Sequence, residues 1–142
     1  MNPVQAQILQ PAIAVHVIAA SLALALGAWV LLARKGTPMH RLAGRAWALA
    51  MAVTAAGSFA IEAKVLSVDT PLGRFGPIHL LSAFVLYQLA RAIAAIRAGD
   101  VGLHRRAMTG SFAGLAIAGI FTVLPGRTLG AWLAAAVAAV AG

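Results

Sequence analysis

Four stretches of the chain stay apolar for about twenty positions at a time, at about 11–32, 42–63, 77–96 and 105–124, with short polar segments between them. A helix rises 1.5 Å per residue, so ~20 residues cross the ~30 Å hydrocarbon core of a bilayer. Each stretch therefore predicts a transmembrane helix. A fifth, alanine-rich stretch at about 129–142 covers only ~21 Å at that rise, which predicts a short fifth span or a partly inserted helix.

Local punctuation agrees with these helices. Thr37-Pro38 and Gly76-Pro77 read as N-cap and first helical position, and Asp100 as the N-cap of the fourth helix. Gly36 and Gly99 stand where the preceding helices should stop. Pro125-Gly126-Arg127 reads as a turn before the fifth helix.

Composition raises the reading from apolar helices to a membrane protein. Of the 142 residues, 62% are hydrophobic and 10% charged, and the mean hydropathy is +0.92. Soluble domains carry ~25% charged residues. The expectation is one membrane domain over 1–142, with no catalytic domain outside the bilayer. Met1 to Gln10 lacks the basic segment of a cleavable signal peptide, so the first span should persist as an anchor.

The net charge of +8 could point to nucleic acid, but its distribution points to topology. Arg34, Lys35, Arg41 and Arg45 gather between the first two spans, and Arg97, Arg105 and Arg106 between the third and fourth. That is the positive-inside pattern. It predicts a multi-pass protein of a bacterial inner membrane with its N-terminus outside, in contact with lipid and not with nucleic acid. Lys64 and Arg74 fall on the outside, against Glu62 and Asp69. Cysteine is absent, which removes thiolate metal sites, iron–sulfur clusters and covalently attached haem.

Four histidines are the candidate chemistry. His16 precedes His40 by 24 residues and His79 precedes His104 by 25. Both second histidines are followed by arginine, as His40-Arg41 and His104-Arg105. A two-helix unit used twice would explain the register, with a pseudo-twofold axis along the membrane normal. The expected fold is thus all-α: a four-helix transmembrane bundle of two two-helix repeats, plus a short fifth helix.

The chain also resembles a known family. His16, Lys35-Gly36-Thr37, His40-Arg41, Ser58-Phe59, Pro77-Ile78-His79-Leu80-Leu81, His104-Arg105-Arg106-Ala107-Met108 and Leu124-Pro125-Gly126-Arg127 are similar to a bacterial inner-membrane family known only as a domain of unknown function. The resemblance covers nearly the whole chain, apart from Ala60 where a second Phe is expected. It implies a small polytopic membrane protein with histidines at these four places, and no activity.

Each histidine lies near a helix start, where the positive end of the dipole and the low dielectric favour the neutral, ligating imidazole. Facing pairs, His16 with His79 outside and His40 with His104 inside, would suit two bis-histidine b-type haems, as in membrane cytochromes of that plan. The outer pair is the safer site. Arg41, Arg105 or Arg106 would hold propionates. Small residues such as Ala19, Ala20, Ala52, Ala55, Ala56 and Gly57 would leave room for the macrocycle.

Three alternatives stand beside haem. His16, His79 and Glu62 offer two imidazoles and a carboxylate for zinc or copper. His40 and His104, each beside arginine, suit a purely interfacial role with lipid phosphates. The chain would then be a non-enzymatic membrane partner, such as an assembly factor of a respiratory complex, or part of a homo-oligomer. Solute transport is not expected, since mid-span polar groups are few. Trp29, Trp47 and Trp132 read as interfacial anchors or packing residues, and Tyr87 and Gln88 as candidates for bonds between helices.

Overall fold

The computed structural model describes residues 11–62, 66–71, 73–124 and 127–141. Expectations placed on Met1 to Gln10, Lys64, Pro125-Gly126 and the side chain of Trp132 lie outside the described residues. The chain order is α1 (Pro11–Leu32), α2 (Pro38–Ser58), β1 (Val68–Thr70), β2 (Gly73–Phe75), α3 (Pro77–Arg97), α4 (Val101–Val123) and α5 (Thr128–Ala141).

Three of the helices, α1, α3 and α4, are long and apolar enough to cross a membrane. α2 is of similar length but carries Arg41 and Arg45 in its first two turns. α5 is apolar and has 14 residues.

The connections are set by local chemistry. Lys35 folds back so that its Nζ donates to the carbonyls of Val30 and Ala33, groups that a helix end leaves without partners. Gly36 then takes a φ of +78°, which a side chain would resist. Thr37 caps α2, its Oγ1 accepting from His40 N at 3.1 Å, with Pro38 following. α4 starts in the same way. Gly99 has a φ of +82°, and Asp100 Oδ1 accepts from Leu103 N at 2.8 Å. Both caps override the apolar run: α2 begins at Pro38 and not near 42, and α4 at Val101 and not near 105. α2 also ends at Ser58, short of 63, in a turn that carries Ala60 N to Gly57 O.

An antiparallel hairpin joins α2 to α3, with Val68 opposite Phe75 and Asp69 opposite Arg74. Arg74 Nε lies 3.0 Å from Asp69 Oδ1 on an exposed surface, where an ion pair adds little. Thr70-Pro71-Leu72-Gly73 is the turn signal that could have announced it.

α1 packs on α2, α2 on α3 and α3 on α4, while α1 also meets α4 and α5 rests on α4. The α1 side of the core is a small-residue stripe of Ala19, Ala23 and Gly27, continued by Val30, at spacings that keep one face. Against it lie Trp47 and Met51, both buried, with Val85 and Leu89 from α3. Gly27 is the closest point. A Cβ there would sit 2.5 Å from Phe112 Cδ2 and 2.6 Å from Trp47 Nε1, and the Trp47 and Phe112 rings themselves lie 6.4 Å apart. Of the two readings of Trp47, packing holds; Trp29 is exposed.

Large apolar side chains cover the outside, including Ile18, Leu22, Leu49, Leu80, Ile117 and Ile120. Hydrocarbon is the solvent that such a surface suits.

Gly27→Ala should lower stability by about 1–3 kcal/mol through overpacking, measured by denaturant unfolding in mild detergent. Combining it with Phe112→Ala should recover part of that loss, because the two sites share one space. Simple additivity would place the clash elsewhere.

Candidate functional site

The four histidines divide by what their ring nitrogens do. A backbone carbonyl can only accept, so each imidazole nitrogen beside one must carry the proton.

His16, in the second turn of α1, has Nδ1 2.9 Å from the Thr54 carbonyl of α2. His104, at the head of α4, has Nδ1 3.0 Å from the Ala92 carbonyl of α3. Both rings therefore carry a proton on Nδ1, and Nε2 is the nitrogen not bound to that carbonyl. A backbone carbonyl on one nitrogen with the other left free is the usual preparation of a ligating imidazole.

His79 is built differently. It is the third residue of α3 and is 4% exposed. Its Nδ1 accepts from Gly76 N at 3.1 Å, and its Nε2 donates to the Ile61 carbonyl at 3.1 Å. Phe75 and Phe59 flank the ring at 4.7 and 5.6 Å. Both nitrogens are occupied, so His79 joins the end of α2, the hairpin and the start of α3. To ligate anything, it must first give up one of these bonds.

His40 sits at the head of α2, beside the Val30 carbonyl and within electrostatic reach of Lys35 and His104. Its Nδ1 is buried and has no hydrogen-bond partner among the described residues. His40 and His104 thus stand in the first turns of α2 and α4.

At the hairpin end, His16 and His79 bond to different carbonyls. Among the described residues, no three of His, Asp and Glu form a group that could hold a metal ion. His16, His79 and Glu62 are not gathered into such a group in this arrangement, and Glu62 is exposed.

The arginines differ too. Arg41 turns to the end of α1, donating from Nε and Nη2 to the Gly36 carbonyl at 3.3 and 3.1 Å. Arg105 and Arg106 are exposed. Of the small residues, Ala19 and Ala55 are buried and Ala20, Ala52 and Gly57 partly so, while Ala56 faces outward. The tightest small residue, Gly27, brings helices together and opens no space.

Among the described residues Tyr87 and Gln88 meet their own helix: Arg91 donates to Gln88 Oε1 at 3.0 Å and lies 5.5 Å from the Tyr87 ring. A side-chain bond between helices that the sequence did not announce joins Ser58 to Ser82. Their hydroxyls are 2.7 Å apart and buried between α2 and α3.

Imidazoles bonded to neighbouring helices, back-bonded hydroxyls and a hydrocarbon-like exterior define a helical membrane protein. Residues 13–140 match the family described as predicted membrane protein (DUF2306), and the chain belongs to that family. No curated protein and no solved structure matches the chain.

His79→Ala should cost about 2 kcal/mol, because it leaves a part-buried N–H and a part-buried carbonyl without their partner. His16→Ala should cost about 1 kcal/mol, the value of one ordinary bond. Unfolding of the two variants in detergent compares them, and equal losses would contradict the double role of His79.

Proposed function

We propose that the chain is a four-span protein of a bacterial inner membrane, made of two similar two-helix units, that carries electrons through b-type haem. Its basic end faces the cytoplasm and its N-terminus lies outside. The favoured site is the pair at the basic end, His40 with His104, with Arg105 as the propionate partner.

The observation that carries this reading is the setting of His104. Its Nδ1–H is fixed on the Ala92 carbonyl, which leaves Nε2 as the nitrogen that would ligate. The matching starts of α2 and α4, each with a positive-φ glycine, a capping side chain and a histidine, support the repeated unit. At the other end His16 is equally prepared, but His79 must first leave Gly76 or Ile61.

A second reading is favoured by the filled interior around Gly27, Trp47 and Phe112. A single zinc or copper ion needs less room than a macrocycle. The chain would then be a non-enzymatic partner of a membrane complex, such as an assembly factor of a respiratory complex. The metal would sit at the same pair, or at His16, His79 and Glu62 once His79 is released.

Visible absorption of protein purified in mild detergent from haem-replete cells separates these readings. Haem predicts a Soret band with sharp reduced α and β bands, lost in His104→Ala and retained in His79→Ala. A colourless protein with no haem by pyridine haemochrome assay contradicts the first reading. Stoichiometric zinc or copper in that colourless sample supports the second.

A further inference from the structure

Arg91 is a charge that neither the helix caps nor the histidine sites use. α3 runs over 21 residues, Pro77–Arg97, so Tyr87 stands at its centre. Arg91 lies one turn further on, ~6 Å along the axis and ~9 Å short of Arg97. An arginine at that depth ordinarily extends to the nearer headgroup layer. Arg91 turns the other way. Its Nη1 donates to Gln88 Oε1 at 3.0 Å, and its Cζ lies 5.5 Å from the centre of the Tyr87 ring. The bond and the ring hold a guanidinium near the middle of the helix, where a charge in a membrane span is costly and usually functional.

The groups around Arg91 leave its charge uncompensated. Gln88 supplies a carbonyl oxygen and Tyr87 a ring face, and both are neutral. Among the described residues Arg91 has no acidic partner. The acidic side chains of the chain are Glu62, Asp69 and Asp100. Asp100 caps α4 at the basic end, while Glu62 and Asp69 lie between α2 and α3 at the hairpin end. A second copy would bring the same acids to the same two ends, in either orientation. A lipid phosphate lies ~15 Å from the bilayer centre, and the guanidinium is turned away from the nearer layer. The counter-charge that fits is a carboxylate at mid-depth on another protein.

The surface beside Arg91 suits a helix. Leu80, Phe84, Tyr87 and Arg91 fall on one stripe of α3. Leu80, Phe84 and Tyr87 are exposed. Ala83 and Ala90 beside them are exposed too, and are small enough for a second backbone to come close. The buried Val85 and Leu89 stand on the opposite side. We propose that this stripe docks a transmembrane helix of a partner protein that carries Asp or Glu at mid-depth, its carboxylate paired with Arg91. The guanidinium fork matches a carboxylate, and an arginine beside an exposed tyrosine is the kind of pair that anchors interfaces. The docking rests on α3 crossing the bilayer, as proposed above, and not on haem or a metal at the histidines.

Energy transfer from the protein's tryptophans to dansyl-labelled peptides in phosphatidylcholine vesicles tests it. Each peptide is a lysine-flanked polyleucine helix of ~20 residues, with Glu or Gln at its centre. The Glu peptide should bind the full chain about tenfold tighter than the Gln peptide, or more. Arg91→Gln should remove that preference, Arg91→Lys should keep part of it, and Arg97→Gln should keep all of it. Equal binding of the two peptides overturns the proposal, as does an undiminished preference in Arg91→Gln. Loss of the preference in phosphatidylglycerol vesicles also overturns it, because a headgroup then takes the arginine. An Ala83→Cys variant reports on the span separately, since the chain has no cysteine of its own. A crossing α3 shields that position from a membrane-impermeant maleimide until detergent is added. Labelling in intact vesicles overturns the span and the docking together, whereas shielding without a peptide preference overturns the docking alone.

Discussion

Water is absent from the hydrocarbon core, so a polar group at that depth must find its partner within the protein or lose several kcal/mol. Hydroxyls on the long helices obey this by bonding back to their own helix: Ser21 to Val17, Thr54 to Ala50, Ser111 to Ala107 and Thr109 to Arg105. Imidazoles are too wide for that and reach the next segment. His16 bonds to α2, His104 to α3, and His79 to the end of α2. The same requirement fixes the tautomers, since each carbonyl selects which nitrogen is protonated. Any chemistry of these histidines is then limited to the nitrogen that remains.

That constraint separates histidines that sequence spacing makes look equivalent. His16 and His104 each show one nitrogen bonded among the described residues, while His79 has both nitrogens bonded and serves as a brace between α2, the hairpin and α3. His40 completes the contrast with a buried Nδ1 that has no hydrogen-bond partner among the described residues. Interest therefore moves from the hairpin end to the basic end, where His40 and His104 head α2 and α4. Packing acts in the opposite direction. Gly27 lets Trp47 and Phe112 close the interior, and whatever binds between the helices must share space with those rings.

Much of this was legible in the chain and some was not. The bounds of α1 and the start of α3 follow from the apolar runs, because nothing polar competes with them there. α2 and α4 start earlier than their apolar runs because Thr37-Pro38 and Asp100 cap the first turn, and a cap sets a helix end more firmly than hydropathy does. The hairpin at Val68–Thr70 and Gly73–Phe75 was missed because its strands are three residues long and only the Pro71–Gly73 turn marks them. The histidine positions were plain, but their partners were not. Thr54, Ile61 and Ala92 contribute backbone carbonyls, which have no signature in sequence. Gly27 escaped notice for a similar reason: its role is the volume it leaves to Phe112 of α4.

The central claim is that the four imidazoles divide into distinct protonation roles. Nitrogen NMR of the protein labelled with 15N-histidine, in lipid nanodiscs at neutral pH, reads those roles directly, with His→Gln variants assigning the signals. The account predicts a protonated Nδ1 for His16 and His104 and a neutral Nε2–H tautomer for His79. An unprotonated Nδ1 at His16 or His104, or a protonated Nδ1 at His79, would contradict it.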